Sequence, residues 1–150
     1  MAQPAPHQVY YYRSGVWYEL GEIVRPGNWG RVIRAYGSAH DLFFHEYVFE
    51  TIREAEFVDR PSRMEAGFAF FEEQAARAVP HSGWPLLYQV RPTEPTAPRF
   101  VTDMSWLDGV RTFDDVIVHA RGYWQGKLRG GPIEVVTMSP LEVVARLGFP

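Results

Sequence analysis

Apolar and polar positions change their period several times along the chain, and each change marks a predicted element. Gln8 to Ser14 is aromatic and β-branched and is closed by Gly15, which predicts a strand. Glu22 to Val24 predicts a second, shorter one, and Pro26-Gly27-Asn28-Trp29-Gly30 predicts a turn or loop. Ser38 and Asp41 then have the spacing of a capping box, and Phe44, Tyr47, Val48, Ile52 and Ala55 recur at helical intervals to form one apolar face. On that helix Glu46 and Glu50 read as a solvated edge. Pro61 breaks the pattern. Gly67 to Phe71 is a strand or the buried start of the next helix, Glu72 to Ala78 is rich in helix formers, and Leu86 to Val90 is again a strand. After a Pro-studded loop through Pro98, Phe100-Val101 predicts a brief pairing. Thr112 and Asp115 form a second capping box ahead of a face built from Phe113, Val116, Ile117, Ala120, Tyr123 and Trp124. Gly126 to Pro132 is a flexible basic loop, and Ile133 to Thr137 is a strand that carries one acid. From Ser139 the pattern fits a helix ended by Gly148 as well as an alternating strand.

Helices and strands therefore mix without a regular βαβ rhythm. This predicts an α+β fold, one domain over residues 8–150 with a largely antiparallel sheet and flanking helices, after a flexible lead over residues 1–7. Composition agrees with a packed core: 150 residues, 46% hydrophobic and 15% aromatic. The aromatic excess suits either a well-filled core or a flat-ring ligand stacked in a cleft. A net charge of −3 without a polybasic stripe argues against a dedicated nucleic-acid binder. The absence of cysteine removes disulfides, thiolate nucleophiles and Cys-based zinc sites. The five histidines (His7, His40, His45, His81 and His119) form no i, i+4 pair, so a metal site is not expected. No apolar run approaches the roughly 20 residues of a membrane span. The first residues lack both a basic leader and a hydrophobic stretch, so the expectation is a cytoplasmic protein, or one exported by a route not written in its sequence.

No nucleophile elbow, Walker-type loop or dinucleotide glycine fingerprint is present. His119 with Asp114 and Asp115 reads as a shared surface. Three segments remain. Tyr12-Arg13-Ser14 ends the first strand, Phe68-Ala69-Phe70 lies mid-chain after Arg63, and Ile133-Glu134-Val135-Val136 comes late. In that order they resemble the three motifs of the ADP-ribosyltransferase superfamily. That superfamily has a first strand of aromatic-His-x-Ser/Thr or Arg type, a central aromatic motif and a late strand bearing Glu. Pro26 to Gly30, Phe49 to Arg53, Pro61 to Arg63 and Tyr123 to Gly126 are similar to segments of an uncharacterised bacterial domain family associated with that fold. The resemblance spans about Val9 to Val144 and implies that the antiparallel sheet is split.

It implies NAD as substrate, bent in a cleft while its nicotinamide–ribose bond breaks through an oxocarbenium-like state. Glu134 would be the catalytic carboxylate, stabilising the developing charge near the ribose hydroxyls. Phe68 would stack on the nicotinamide, Tyr12 would face the ribose with Ser14 bonding nearby, and Arg13 or Arg63 would hold the pyrophosphate. Glu142 is the backup acid if the last strand is misplaced. Departures from the pattern are Tyr12 where many relatives have His, Phe68 where Tyr is commoner, and Pro132 where arginine-modifying relatives carry a second acid. The last disfavours an arginine acceptor and leaves the acceptor open among protein, nucleic acid, small molecule and water. The alternatives are a catalytically inactive NAD- or ADP-ribose-binding domain of the same fold, and a protein-interaction domain whose three named side chains face apart.

Overall fold

Four successive residues of the strand Ile133–Thr137 are buried, as a sheet covered on both faces allows. In this computed structural model residues 8–80, 83–109 and 112–148 are described. The strands are β1 (Tyr10–Ser14), β2 (Ile23–Val24), β3 (Gly67–Phe70), β4 (Leu86–Pro92), β5 (Arg99–Asp103), β6 (Ile133–Thr137) and β7 (Leu141–Gly148). The helices are α1 (Asn28–Tyr36), α2 (Phe43–Glu56), α3 (Glu73–Ala78) and α4 (Phe113–Gln125), with 3-10 turns at Gly37–Ala39 and Met104–Leu107. The lead over residues 1–7, with His7, and also His81, lie outside the described residues. No described helix is long and apolar enough to cross a membrane.

The strands form one seven-stranded sheet in the order β2-β7-β4-β1-β3-β6-β5, and every registered pair in it is antiparallel. The expected split is thus corrected: there is one sheet, but its two halves are joined weakly. β1 pairs with β4 from Tyr10↔Val90 to Ser14↔Leu86, whereas β1 meets β3 at Tyr11↔Phe70 alone. Beyond that pair Tyr12–Ser14 and Gly67–Ala69 diverge.

One face of the sheet carries Phe100, Phe68 and Val136 under α2 and α4, which join through Phe49, Val116, Ala120, Tyr123 and Trp124. Trp124 Nε1 seals that contact by donating to the Phe49 carbonyl at 2.8 Å. Further along the same face α3 covers Phe70 and Leu87. The opposite face gathers Tyr10, Tyr88, Val90, Val135 and Val143. There the segment after β1 folds back, and the Tyr88 hydroxyl bonds both the Val16 carbonyl and the Tyr18 N–H at 2.9 Å.

Four expectations need correction. Pro26 to Gly30 is a turn only as far as Gly27, whose left-handed φ of 99° launches α1. The Ser38/Asp41 box does not cap α2: the helix starts at Phe43 behind Leu42, with no side-chain cap bond, and Ser38 lies in the preceding 3-10 turn. The buried face of α2 is rotated from the expected stripe. Phe44 and Tyr47 are 45% and 64% exposed, while Phe49 is wholly buried. The loop from Gly126 to Pro132 is pinned rather than loose, since Asp103 accepts the Arg129 and Gly131 N–H groups at 2.7 and 3.0 Å. The second box is half present: Thr112 Oγ1 accepts from the Asp115 N–H at 3.1 Å. The tail is strand β7, and His119 is half-buried with Nδ1 2.9 Å from the Trp106 carbonyl.

Candidate functional site

Where β1 and β3 part, a cleft of about 860 Å³ opens. By register, Tyr12 and Ser14 project from one face of the sheet and Phe68 and Glu134 from the other. The parting of the strands lets both sets border one space. Tyr12, Arg13, Ser14, Arg63, Phe68 and Glu134 all line it. Glu142 does not. It sits on β7 and pairs with Arg91.

Glu134 is 3% exposed and lies on β6 between its register partners Phe70 of β3 and Thr102 of β5. Its Oε2 accepts from the Tyr123 hydroxyl at 2.7 Å and from Arg63 Nη1 at 3.2 Å. Burial pushes this carboxyl up, and Arg63 and Tyr123 only partly offset it. Arg63 follows the Pro61 break and enters the core from a turn in which the Glu65 and Ala66 N–H groups donate to the Ser62 carbonyl. Its Nε contacts both oxygens of Glu46 at 3.1 and 3.0 Å, and its guanidinium lies 4.5 Å from the Phe68 ring centroid. Trp29 Nε1 adds a 2.8 Å bond to Glu46. One cation thus sits between two buried carboxylates, with a phenol and an indole completing the cluster.

Glu46 overturns the reading of a solvated helix edge: it is 3% exposed. Glu50 is half-buried and engaged by Arg53 at 2.7 Å and by the Ser62 hydroxyl at 2.9 Å. The available signal was Phe49 itself. A helix that buries Phe49 also turns Glu46, three residues earlier, toward the core. The Phe44/Tyr47 stripe masked it.

The two expected pyrophosphate anchors are committed elsewhere. Arg13 spends its guanidinium on carbonyls of Trp84, Ala76, Val79 and Pro80, tying β1 to the end of α3 and the segment that follows. Arg63 is held by Glu46 and Glu134. Neither geometry supports holding a pyrophosphate. Two other cations, Arg25 and Arg31, are exposed and line the cleft beside the start of α1, whose first turn no side chain caps. Arg31 donates to the Asn28 side chain. Phe68 offers only part of its surface, since one ring face is covered by Arg63 and the residue packs against the α2–α4 core. Burial raises the Tyr12 phenol. Among the described residues no group of acids and histidines is placed to hold a metal ion. In comparisons with known proteins no family model matches the chain, and no curated protein matches it.

Proposed function

We propose that the protein is an NAD-dependent mono-ADP-ribosyltransferase of the ADP-ribosyltransferase-like fold, cleaving the nicotinamide–ribose bond in the cleft between β1 and β3. The observation that carries this reading is the meeting of Tyr12 and Ser14 from β1, Phe68 from β3 and Glu134 from β6 around one opening in an antiparallel sheet. These residues are remote in sequence, and a mainly apolar cleft with a few convergent polar groups suits a ligand of nucleotide size. In the reaction the C–N bond breaks with its electron pair leaving on nicotinamide, and the acceptor attacks the ribose carbon. The Glu134 carboxylate stabilises the oxocarbenium-like centre and orients the attacking group. Arg63 and Tyr123 fix one of its oxygens and so set its direction. The pyrophosphate falls to Arg25, Arg31 and the start of α1, which no side chain caps, rather than to Arg13 or Arg63.

A second reading keeps the cleft and drops the chemistry, making the protein a binding domain for NAD or ADP-ribose. The pairing of Glu134 with a buried guanidinium favours it, because that carboxylate is already engaged before any ligand enters. The measurement that separates the two is NAD binding and nicotinamide release by wild type and Glu134→Gln. On the first reading wild type releases nicotinamide, while the variant binds NAD and turns it over at least about 100-fold more slowly, the scale of losing a transition-state contact. Binding without release in both proteins supports the second. No binding at millimolar NAD sinks both.

A further inference from the structure

His45 stands on α2 one residue before Glu46, and its side chain lines the cleft. Its imidazole packs edge-on against Phe49, with ring centroids 4.3 Å apart. Its Nε2 is out of solvent contact with no hydrogen-bond partner, the one side-chain nitrogen or oxygen among the described residues in that state. An orphaned buried polar atom costs stability unless something completes it, and such atoms concentrate where a ligand or an ordered water binds. A histidine kept only to fill the core would be replaceable by an apolar side chain at no loss. His45 is among the residues that line the cleft the proposed reaction uses.

The surroundings narrow what the missing partner is. Glu46 and Asp108 place negative charge near the ring, Arg63 places positive charge near it, and His119 is a second titratable neighbour. Burial dominates and lowers the imidazole below its ordinary range, so at neutral pH it is uncharged. A neutral imidazole presents one N–H and one lone pair, and no partner of Nε2 fixes which it carries there. A carboxylate or phosphate satisfies only the N–H tautomer and brings its charge toward Glu46 and Asp108. An ammonium satisfies only the lone pair and is drawn out of water next to Arg63. A hydroxyl donates or accepts, serves either tautomer and adds no charge. We propose that His45 Nε2 is a ligand contact of the cleft that hydrogen-bonds a ribose hydroxyl, an assignment that rests on the NAD reading above.

The test is calorimetric titration of NAD, ADP-ribose and nicotinamide into wild type, His45→Leu, His45→Phe and His45→Gln, with melting curves for each. One neutral hydrogen bond lost should weaken NAD and ADP-ribose by about five- to tenfold in the two apolar variants. Their melting temperatures should equal or exceed that of wild type, because the orphaned atom is gone. Nicotinamide, which has no ribose, should bind all four proteins alike, and Gln should recover part of the affinity. Wild-type affinity for NAD and ADP-ribose in the better-folded apolar variant overturns the assignment and leaves an ordered water as the partner. An equal loss for nicotinamide overturns it too, since the contact is then not to a hydroxyl. A wild type that binds none of the three overturns the NAD reading, and this assignment falls with it.

Discussion

At neutral pH the Glu46–Arg63–Glu134 cluster keeps one cation between two carboxylates, all but out of contact with water. With both acids ionised the trio has an uncompensated negative charge, and desolvation makes that charge expensive. The two obvious substitutions therefore have opposite signs. Arg63→Ala strands both carboxylates and should cost about 3–5 kcal/mol, read from urea denaturation. Glu134→Gln removes the excess charge while keeping the shape. The folded-state pKa of Glu134 is raised above its ordinary 4.5. Its protonated form thus stabilises the fold fully below about pH 4.5, and that contribution is lost as pH rises through the raised value. The melting temperature of Glu134→Gln should therefore match wild type near pH 4 and exceed it at pH 7.5. A lower value at both pH values would mean that the carboxylate is a net stabiliser. At this scale the sequence was half legible. Glu134 stood out as the lone acid of a β-branched strand, and Arg63 as the cation after a Pro-Ser break. Glu46 did not stand out, because the exposed Phe44/Tyr47 stripe masked the helix face that Phe49 buries.

At the scale of elements, most strands were readable from their period of two and β-branched content, while β3 and β7 fitted a helix as well. The starts of α1 and α2 were not readable. α1 begins inside a Pro-Gly-Asn stretch that has every mark of a turn, and what makes it a helix is docking. Gly30 lies so close to the segment after Pro61 that a β-carbon there would stand 1.8 Å from the Met64 carbonyl oxygen. That approach lets Trp29 reach Glu46 and sets one wall of the cleft. Gly30→Ala should lift α1 off this segment, costing about 3 kcal/mol or more, and weaken NAD binding together with thermal stability. Retained stability and binding would show that Met64 yields readily. The apolar stripe on α2 misled for a related reason. Phe44 packs edge-on against Phe113 at 5.1 Å, an exposed aromatic contact that copies the spacing of a core.

For the whole molecule, the class of fold was legible and the strand order was not, since every neighbour relation in the sheet is non-local. β1, the first strand, lies at the middle, between β4 and β3. β7 completes one half beside β4, and β6 is built on β3. Even the consecutive strands β5 and β6 are separated by α4, so no described pair is a hairpin. Each ladder must close a long loop before it gains any contact. Refolding from urea, followed by stopped-flow fluorescence, should fall in roughly the millisecond-to-second range of non-local β topologies, and microsecond relaxation would contradict this. The same geometry bears on how the chain is made. During translation Tyr10, Tyr11 and Tyr12 emerge well ahead of Val90, Gln89 and Tyr88, the residues they pair with. The strand destined for the centre spends that interval as an uncovered aromatic edge, and a nascent chain in that condition is a client for ribosome-associated chaperones.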